Sequence, residues 1–238
     1  MNKDFLDDYV VIIPCLNPDD KLQETVKNIK NEGFNNIIIV NDGSSPKYDV
    51  FFQDAIKLVG DKGVLLTHDV NKGQGRAYKT AFECMLKRFP NAKGAIQCDS
   101  DGQHRAYDVK RCSEVMEQYP NNLVLGERNF DDPSVPFRSK FGNKCTSKVF
   151  SLFFHLDVAD TQTGLKGIPT SLITCLIDAP GERYEFCSCT LLEAFRHGYA
   201  IRNFPIQTVY DKNNISHFNP IIDAIRIYYF LLKYYFSC

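Results

Sequence analysis

Four short, continuous apolar runs divide the first hundred residues of the chain. They lie at 9–14 (Tyr-Val-Val-Ile-Ile-Pro), 36–40 (Asn-Ile-Ile-Ile-Val), 63–67 (Gly-Val-Leu-Leu-Thr) and 94–98 (Gly-Ala-Ile-Gln-Cys). Each is too short for a helix and rich in β-branched or apolar residues, which predicts buried strands. The longer mixed segments between them predict helices: one capped by Asp19 or Asp20 and running to about 31, one around 47–59, and one opened by 71–75 and running to about 88. Strands alternating with helices predict a parallel sheet covered on both faces. Ligands bind beyond the carboxyl ends of the strands in such sheets. The polar clusters 14–17, 41–45, 71–75 and 99–103 all fall there.

The second half is less regular. A strand is predicted at 123–126, a loop at 127–136, a helix over about 138–156, a helix over 188–197 and a strand over 200–210. Between them, 160–167 (Asp-Thr-Gln-Thr-Gly-Leu-Lys-Gly) is polar and glycine-containing, as segments that shape a site are. At 221–236, Asp223, Arg226 and Lys233 fall within about 80° on a helical wheel, and nearly everything else is Ile, Leu, Phe or Tyr. Such a face suits an in-plane membrane helix, a partner interface or packing on the enzyme's own core. The expectation is the first, with Tyr228, Tyr229, Tyr234 and Tyr235 in the headgroup zone. The chain is accordingly divided into a domain at 1–220 and an amphipathic helix at 221–238.

A chain of 238 residues can bury a sizeable core, and its net charge of −1 gives no reason to expect a nucleic-acid partner. The nine cysteines are scattered without a CxxC, and the close pair Cys187 and Cys189 is poorly spaced for zinc, so reduced, mostly buried thiols and an intracellular setting are expected. The acidic N-terminus does not read as a signal peptide. No uninterrupted apolar stretch reaches the roughly 18 residues of a membrane-spanning helix.

The densest chemistry is at 97–104, Gln-Cys-Asp-Ser-Asp-Gly-Gln-His, where two carboxylates follow the fourth apolar run. If the strand continued, Asp99 and Asp101 would face one way and Ser100 the other. Two hard oxygen ligands beside an open loop suit Mg²⁺ or Mn²⁺, with the remaining positions left to substrate phosphates. By themselves, two acids in a polar turn are also what a solvated loop contains.

The order of the motifs resolves that ambiguity. Val10-Val-Ile-Ile-Pro14-Cys-Leu-Asn17, Val40-Asn-Asp42-Gly43-Ser44, Asn71-Lys72-Gly73 and Asp99-Ser-Asp101 resemble those of an inverting family 2 glycosyltransferase of the GT-A fold. Gly126-Glu-Arg128, Arg138-Ser139, Asp160-Thr-Gln-Thr-Gly164-Leu-Lys166 and Asn214-Ile-Ser-His217-Phe resemble the branch of dolichyl- and undecaprenyl-phosphate sugar synthases. The resemblance covers roughly residues 8–228. It implies an α/β, Rossmann-like fold with a mostly parallel central sheet. It also implies transfer of a hexose from a nucleoside diphosphate, UDP in preference to GDP, to a polyprenyl phosphate with inversion.

Carried onto this sequence, the resemblance implies that Pro14, Leu16, Asn17, Asp42, Lys72, Gly73 and Asp99 line the nucleotide site. Asp42 would accept the ring N–H of the base, and Lys72 and Gly73 would bring a cation and a close backbone approach. Asp101 would be the direct ligand of a metal bridging the diphosphate, with Asp99 on ribose or metal and Gln103 as a further ligand; His104 reads as a turn residue. Arg128 and Arg138 would offset repulsion between two anionic substrates, since guanidinium matches phosphate oxygens in bidentate geometry. Ser139, Gln162, Lys166 and His217 would be further substrate contacts. Asp160 would be the base if the acceptor were a hydroxyl, and would orient the sugar or a lysine if it were a phosphate.

Many members of the branch continue into transmembrane helices, whereas this sequence stops at Cys238. It would be a soluble variant, a truncated form or one half of a system with a separate membrane-protein partner. A peripheral position at the cytoplasmic face of the membrane is expected. Two other readings stay open: transfer to a saccharide hydroxyl of a cell-surface polymer, and a non-catalytic nucleotide-sugar-binding subunit.

Overall fold

The structure, a computed structural model, describes residues 3–132, 135, 137–207, 219 and 222–237. The four predicted strands are present as β1 (Tyr9–Cys15), β2 (Ile37–Asn41), β3 (Gly63–Thr67) and β4 (Gly94–Gln97). They alternate with α1 (Lys21–Glu32), α2 (Asp49–Val59) and α3 (Gln74–Arg88). Asp19 Oδ1 accepts the Lys21 amide at 3.0 Å, so Asp19 rather than Asp20 satisfies the start of α1. Gly33 closes α1 in the left-handed region that favours glycine (φ 112°).

Downstream lie α4 (Ala106–Gln118), β5 (Asn122–Arg128), α5 (Phe137–Phe154), β6 (Lys166–Pro169), α6 (Thr170–Leu176), α7 (Glu185–Arg196), β7 (Ala200–Ile206) and α8 (Ile222–Ser237). Three of these, α4, β6 and α6, are absent from the sequence-based expectation. The predicted strand at 200–210 ends at Ile206, and 208–210 lie outside the described residues.

One seven-stranded sheet has the order β3-β2-β1-β4-β6-β5-β7. It is parallel except at β6, which runs antiparallel to both β4 and β5. This is the mostly parallel central sheet expected from the sequence. The reversal has a use: Lys166, the first residue of β6, pairs with Gln97, the last of β4, and with Leu125 of β5. The residues preceding β6 are thus delivered to the edge where β1, β2, β3, β4 and β5 end.

Strand side chains alternate between two cores. Val10, Ile12, Ile38 and Val40 pack under α3, α6 and α7, while Val11, Ile13, Ile37 and Ile39 pack under α1, α2 and α4. At about 25 cal/mol per Å² of buried apolar surface, these two layers dominate the stabilisation. They fix the strand ends that carry the polar loops. The α8 helix adds Ile227 and Leu231 to the first core, and Tyr234 donates to Glu193 Oε1 of α7 at 3.0 Å. Asp223, expected on a charged stripe, is buried and accepts the Asn219 amide (2.7 Å) and Arg226 (3.1 Å). Among the described residues, no helix is long and apolar enough to cross a membrane.

Candidate active site

The loops beyond the strand ends are tied to one another in sequence. After β1, Asn17 adopts a left-handed conformation (φ 51°); its amide donates to Ser44 Oγ (2.8 Å) and its Oδ1 accepts the Ser45 amide (3.2 Å). Pro14 is buried in β1 and Leu16 half-buried beside it. Asn17 thereby latches the first loop to the second.

Asp42 joins the second loop to the third. Its Oδ1 accepts the Lys72 amide (2.9 Å), its Oδ2 accepts the Gly73 amide (2.8 Å), and His68 Nδ1 lies 2.7 Å from Oδ1. His68 Nε2 in turn meets Thr80 Oγ1 at 3.0 Å. The carboxylate expected to read a base thus also fastens the loop that opens α3. Lys72 leaves its side chain exposed, and Gly73 sits at φ 102°, where a Cβ would lie 2.5 Å from the Glu182 carbonyl oxygen. The glycine is required by the packing of residues 182 and 183. Arg76, a cation of the same turn, is engaged with Glu182 through Nη2 to Oε1 at 2.6 Å.

The acids sit in a turn rather than on a strand. Because β4 ends at Gln97, strand alternation does not govern Asp99 and Asp101, and Ser100 lies in the turn between them. Asp99 Oδ2 meets His104 Nε2 at 3.2 Å, and Oδ1 accepts from Gln74 Nε2 at 3.3 Å. Asp101 Oδ1 accepts the Gln103 amide at 3.0 Å. Gly164 packs directly on the first acid, so closely that a Cβ there would lie 2.0 Å from Asp99 Oδ2.

The two carboxyls are driven apart electrostatically. Desolvation alone would raise Asp99, but the His104 hydrogen bond and the nearness of His104, Lys166 and Arg128 outweigh it and hold the group below the usual carboxylate range. Asp101 goes up, through desolvation and then the charge of Asp99, against smaller opposing effects of the Gln103 amide, His104 and Lys21. Two carboxylates in one turn, Asp101 raised in part by the charge of Asp99, are hard oxygen donors of the kind that fits a divalent cation.

Across the site, Arg128 forks onto Asp160. Its Nε donates to Oδ2 (2.7 Å), its Nη2 to Oδ1 (2.8 Å), and its own amide to Oδ2 (3.3 Å). Asp160 is 2% exposed and also accepts the Gln162 amide at 3.2 Å. Gln162 Nε2 donates to Ser188 Oγ at 3.2 Å. Lys166 is buried, with its ammonium on the Thr163 carbonyl and 2.9 Å from Cys187 Sγ. Asn143 of α5 holds the same segment, donating to the Ala159 carbonyl (2.5 Å) and accepting the Thr161 amide (3.0 Å).

Of the predicted residues, Asn17, Asp42, Lys72, Gly73, Asp99, Asp101, Gln103, Arg128, Asp160, Gln162 and Lys166 fall on these adjoining strand-end loops. Ser139 lies in the first turn of α5, as does Arg138, whose side chain is outside the described residues along with all of His217. The sequence reading takes His104 as a turn residue and assigns His68, Gln74 and Gly164 no role of their own. His104 had a signal, its place five residues after an acid that it can reach around a turn.

Comparison with known proteins agrees with this arrangement. The model of the family described as "Glycosyl transferase family 2" matches residues 10–169. The sequence is 29% identical over 231 residues to an uncharacterized protein of Methanocaldococcus jannaschii, covering 95% of this chain and 91% of the relative. It is 28% identical over 238 residues to the UDP-N-acetylglucosamine--dolichyl-phosphate N-acetylglucosaminyltransferase of Methanococcus voltae, covering 93% and 94% respectively. Glucosyl-3-phosphoglycerate synthase from Mycobacterium tuberculosis shares the fold at a TM-score of 0.72 and 13% identity, covering 98% of this chain and 84% of that one. The family match runs from β1 through β6 and takes in the loops of Asn17, Asp42, Asp99 and Asp160; the chain belongs to glycosyl transferase family 2 and is a glycosyltransferase of the GT-A fold.

Proposed function

We propose that the enzyme transfers a hexose from a UDP-sugar to a polyprenyl phosphate, with N-acetylglucosamine the first sugar to try. The observation that carries the acceptor is the Arg128–Asp160 fork. A hydroxyl acceptor needs a base free to take its proton, and both Asp160 oxygens already face guanidinium N–H groups. A phosphate acceptor is ionised near neutral pH and needs cations to approach an anionic donor, not a base. The full-length likeness to a dolichyl-phosphate N-acetylglucosaminyltransferase supports the same acceptor and a UDP donor.

The donor nucleotide would lie over the loops of Asn17, Asp42 and Lys72. Asp99, Asp101 and Gln103 would hold Mg²⁺ or Mn²⁺, which when bound offsets charge on the leaving diphosphate. Among the described residues no group of three or more His, Cys, Asp or Glu gathers around a metal position. Most of the cation's oxygen shell would then come from the donor. His104 and Gly164 keep Asp99 ionised and fixed. The acceptor phosphate oxygen attacks the anomeric carbon from the face opposite the diphosphate; the bond to the diphosphate breaks, the bond to the lipid phosphate forms, and UDP leaves. Asp160 orients Arg128 toward the incoming phosphate. Asp42 and His68 set the backbone of the nucleotide loop.

Radiolabelled UDP-N-acetylglucosamine, UDP-glucose and GDP-mannose, each incubated with polyprenyl phosphate and Mn²⁺, test the proposal by organic extraction. Label in the organic phase from a UDP-sugar is expected. Label that stays aqueous in a saccharide product would replace the lipid acceptor with a hydroxyl.

A further inference from the structure

We infer that α5 is a docking helix for an anionic lipid surface and that the open face of α8 docks beside it. The sequence of α5, FRSKFGNKCTSKVFSLFF, carries Arg138, Lys140, Lys144 and Lys148 and no acid, in a chain whose net charge is −1. At about 100° per residue, Phe137, Lys140, Phe141, Lys144, Lys148 and Leu152 fall within an arc of roughly 120°. The structure leaves that arc open: Phe137 is 78% exposed, Phe141 59% and Leu152 70%. The opposite side, Asn143, Thr146 and Phe150, is buried.

Neither water nor a protein core accounts for such a face. A solvated helix surface mixes acids with bases and does not carry rings, and a core-directed surface does not carry lysines. Aromatic rings alternating with cations fit the headgroup layer, where rings enter the acyl boundary and ammonium groups meet lipid phosphates. Lys140 has Asp131 of the preceding loop at 3.3 Å, whereas among the described residues no ion pair engages Lys144 or Lys148.

A second open face lies on α8, which abuts the end of α5. Phe153 and Phe154 at the end of α5 meet the Tyr235 ring edge-on at 5.4 and 6.0 Å. From there Ile225, Tyr229, Leu232 and Phe236 run outward along α8, all exposed and bordered by Arg226 and Lys233. The lysines of α5 choose between occupants. A second copy of the chain would set cations against cations, whereas an anionic bilayer complements both helices.

The buried side of α5 gives docking a consequence, which rests on the acceptor proposed above. Asn143 pins the backbone on either side of Asp160. A helix lying on the bilayer would therefore hold the segment that carries Asp160 about one helix diameter, roughly 10 Å, from the headgroups.

Vesicle flotation tests the docking without involving catalysis. The whole protein is expected to float with vesicles of phosphatidylcholine plus phosphatidylglycerol, to be released by salt, and to stay behind with phosphatidylcholine alone. Each lysine near an anionic surface strengthens binding roughly fivefold, so the triple variant K140E/K144E/K148E should bind about 100-fold more weakly or worse. Phe141→Ser should weaken binding while leaving the salt dependence intact, and both variants should keep the wild-type circular dichroism spectrum. Unchanged binding by the triple variant, equal binding to both vesicle types, or dimerisation through this face without vesicle binding would each overturn the inference. Vesicle binding without lipid glycosylation would instead remove only the proposed acceptor.

Discussion

Arg128 and Asp160 are joined by two parallel hydrogen bonds of 2.7 and 2.8 Å, with the carboxylate buried and the guanidinium partly open. Breaking a buried pair by removing one partner leaves an uncompensated charge and costs about 3–5 kcal/mol. Asp160→Asn is therefore expected to lower stability by roughly 3 kcal/mol and to raise the acceptor KM much more than the donor KM. Arg128→Lys keeps the charge but loses the fork, and should raise the acceptor KM with a smaller loss of stability. Urea denaturation and separate donor and acceptor titrations check both. Equal effects on the two KM values would place this pair away from the acceptor.

Gly164 and Asp99 make a second test, because only a residue without Cβ fits against that carboxylate. Gly164→Ala must push Asp99 away from Gln74 or His104. Transfer activity should fall at least tenfold, a barrier increase of about 1.4 kcal/mol. The thermal midpoint should fall only modestly. A fully active variant would mean that the position of Asp99 is not critical.

Asp42 carries the third loop on its two oxygens. Asp42→Asn keeps the size but replaces an acceptor with an NH₂ that faces a backbone amide. Each unsatisfied buried group costs about 1–3 kcal/mol. Calorimetry with UDP should report weaker binding, while the acceptor KM is little changed. His68→Gln, which removes the ring and its Thr80 contact, should weaken UDP binding less than Asp42→Asn.

A pH-dependent contribution comes from the far end of the sheet. Lys93 bridges Asp8 (2.9 Å) and Glu117 (2.7 Å), and Tyr9 donates to Glu117 at 2.7 Å. The Lys93 and Tyr9 hydrogen bonds hold Glu117 below its ordinary value of 4.5. A depressed carboxyl stabilises the fold above its unfolded pKa and loses that stabilisation as pH falls through the folded pKa. Lys93, raised above 10.5 first by Glu117 and then by Asp8, does the reverse on the alkaline side. Glu117→Gln should therefore cost under about 1 kcal/mol near neutrality, because the lysine bridge is solvated. Urea midpoints should converge with wild type as the pH falls below 4.5 and through the lowered folded pKa of Glu117. A difference that persists in acid would assign the effect to packing.

Much of the donor side was legible because β1, β2, β3 and β4 are continuous apolar runs ending abruptly in polar residues. Two buried faces leave β1, β2 and β4 no polar alternation to hide in. The β6 strand was not legible. Its Lys166 and Gly167 read as loop, and only tertiary contacts with Thr163 and Cys187 make a buried ammonium tolerable there. The α4 stripe of Val109, Cys112 and Met116 is narrow, and Ser113 lies within it, so a 3.6-residue period is hard to see. At the site, the residue types were readable but their relationships were not. That Asp160 holds Arg128, and that Gly164 touches Asp99, follow from the antiparallel insertion of β6, which no local pattern announces.

The most direct test of the account is the nucleotide released per lipid-linked sugar formed. Purified enzyme, UDP-N-acetylglucosamine, polyprenyl phosphate and Mn²⁺ should yield UDP and glycosylated lipid in equal amounts, and Asp101→Ala should yield neither. Release of UMP, with a diphosphate-linked product, would mean that the enzyme cleaves the diphosphate rather than the glycosidic bond, and would contradict the account.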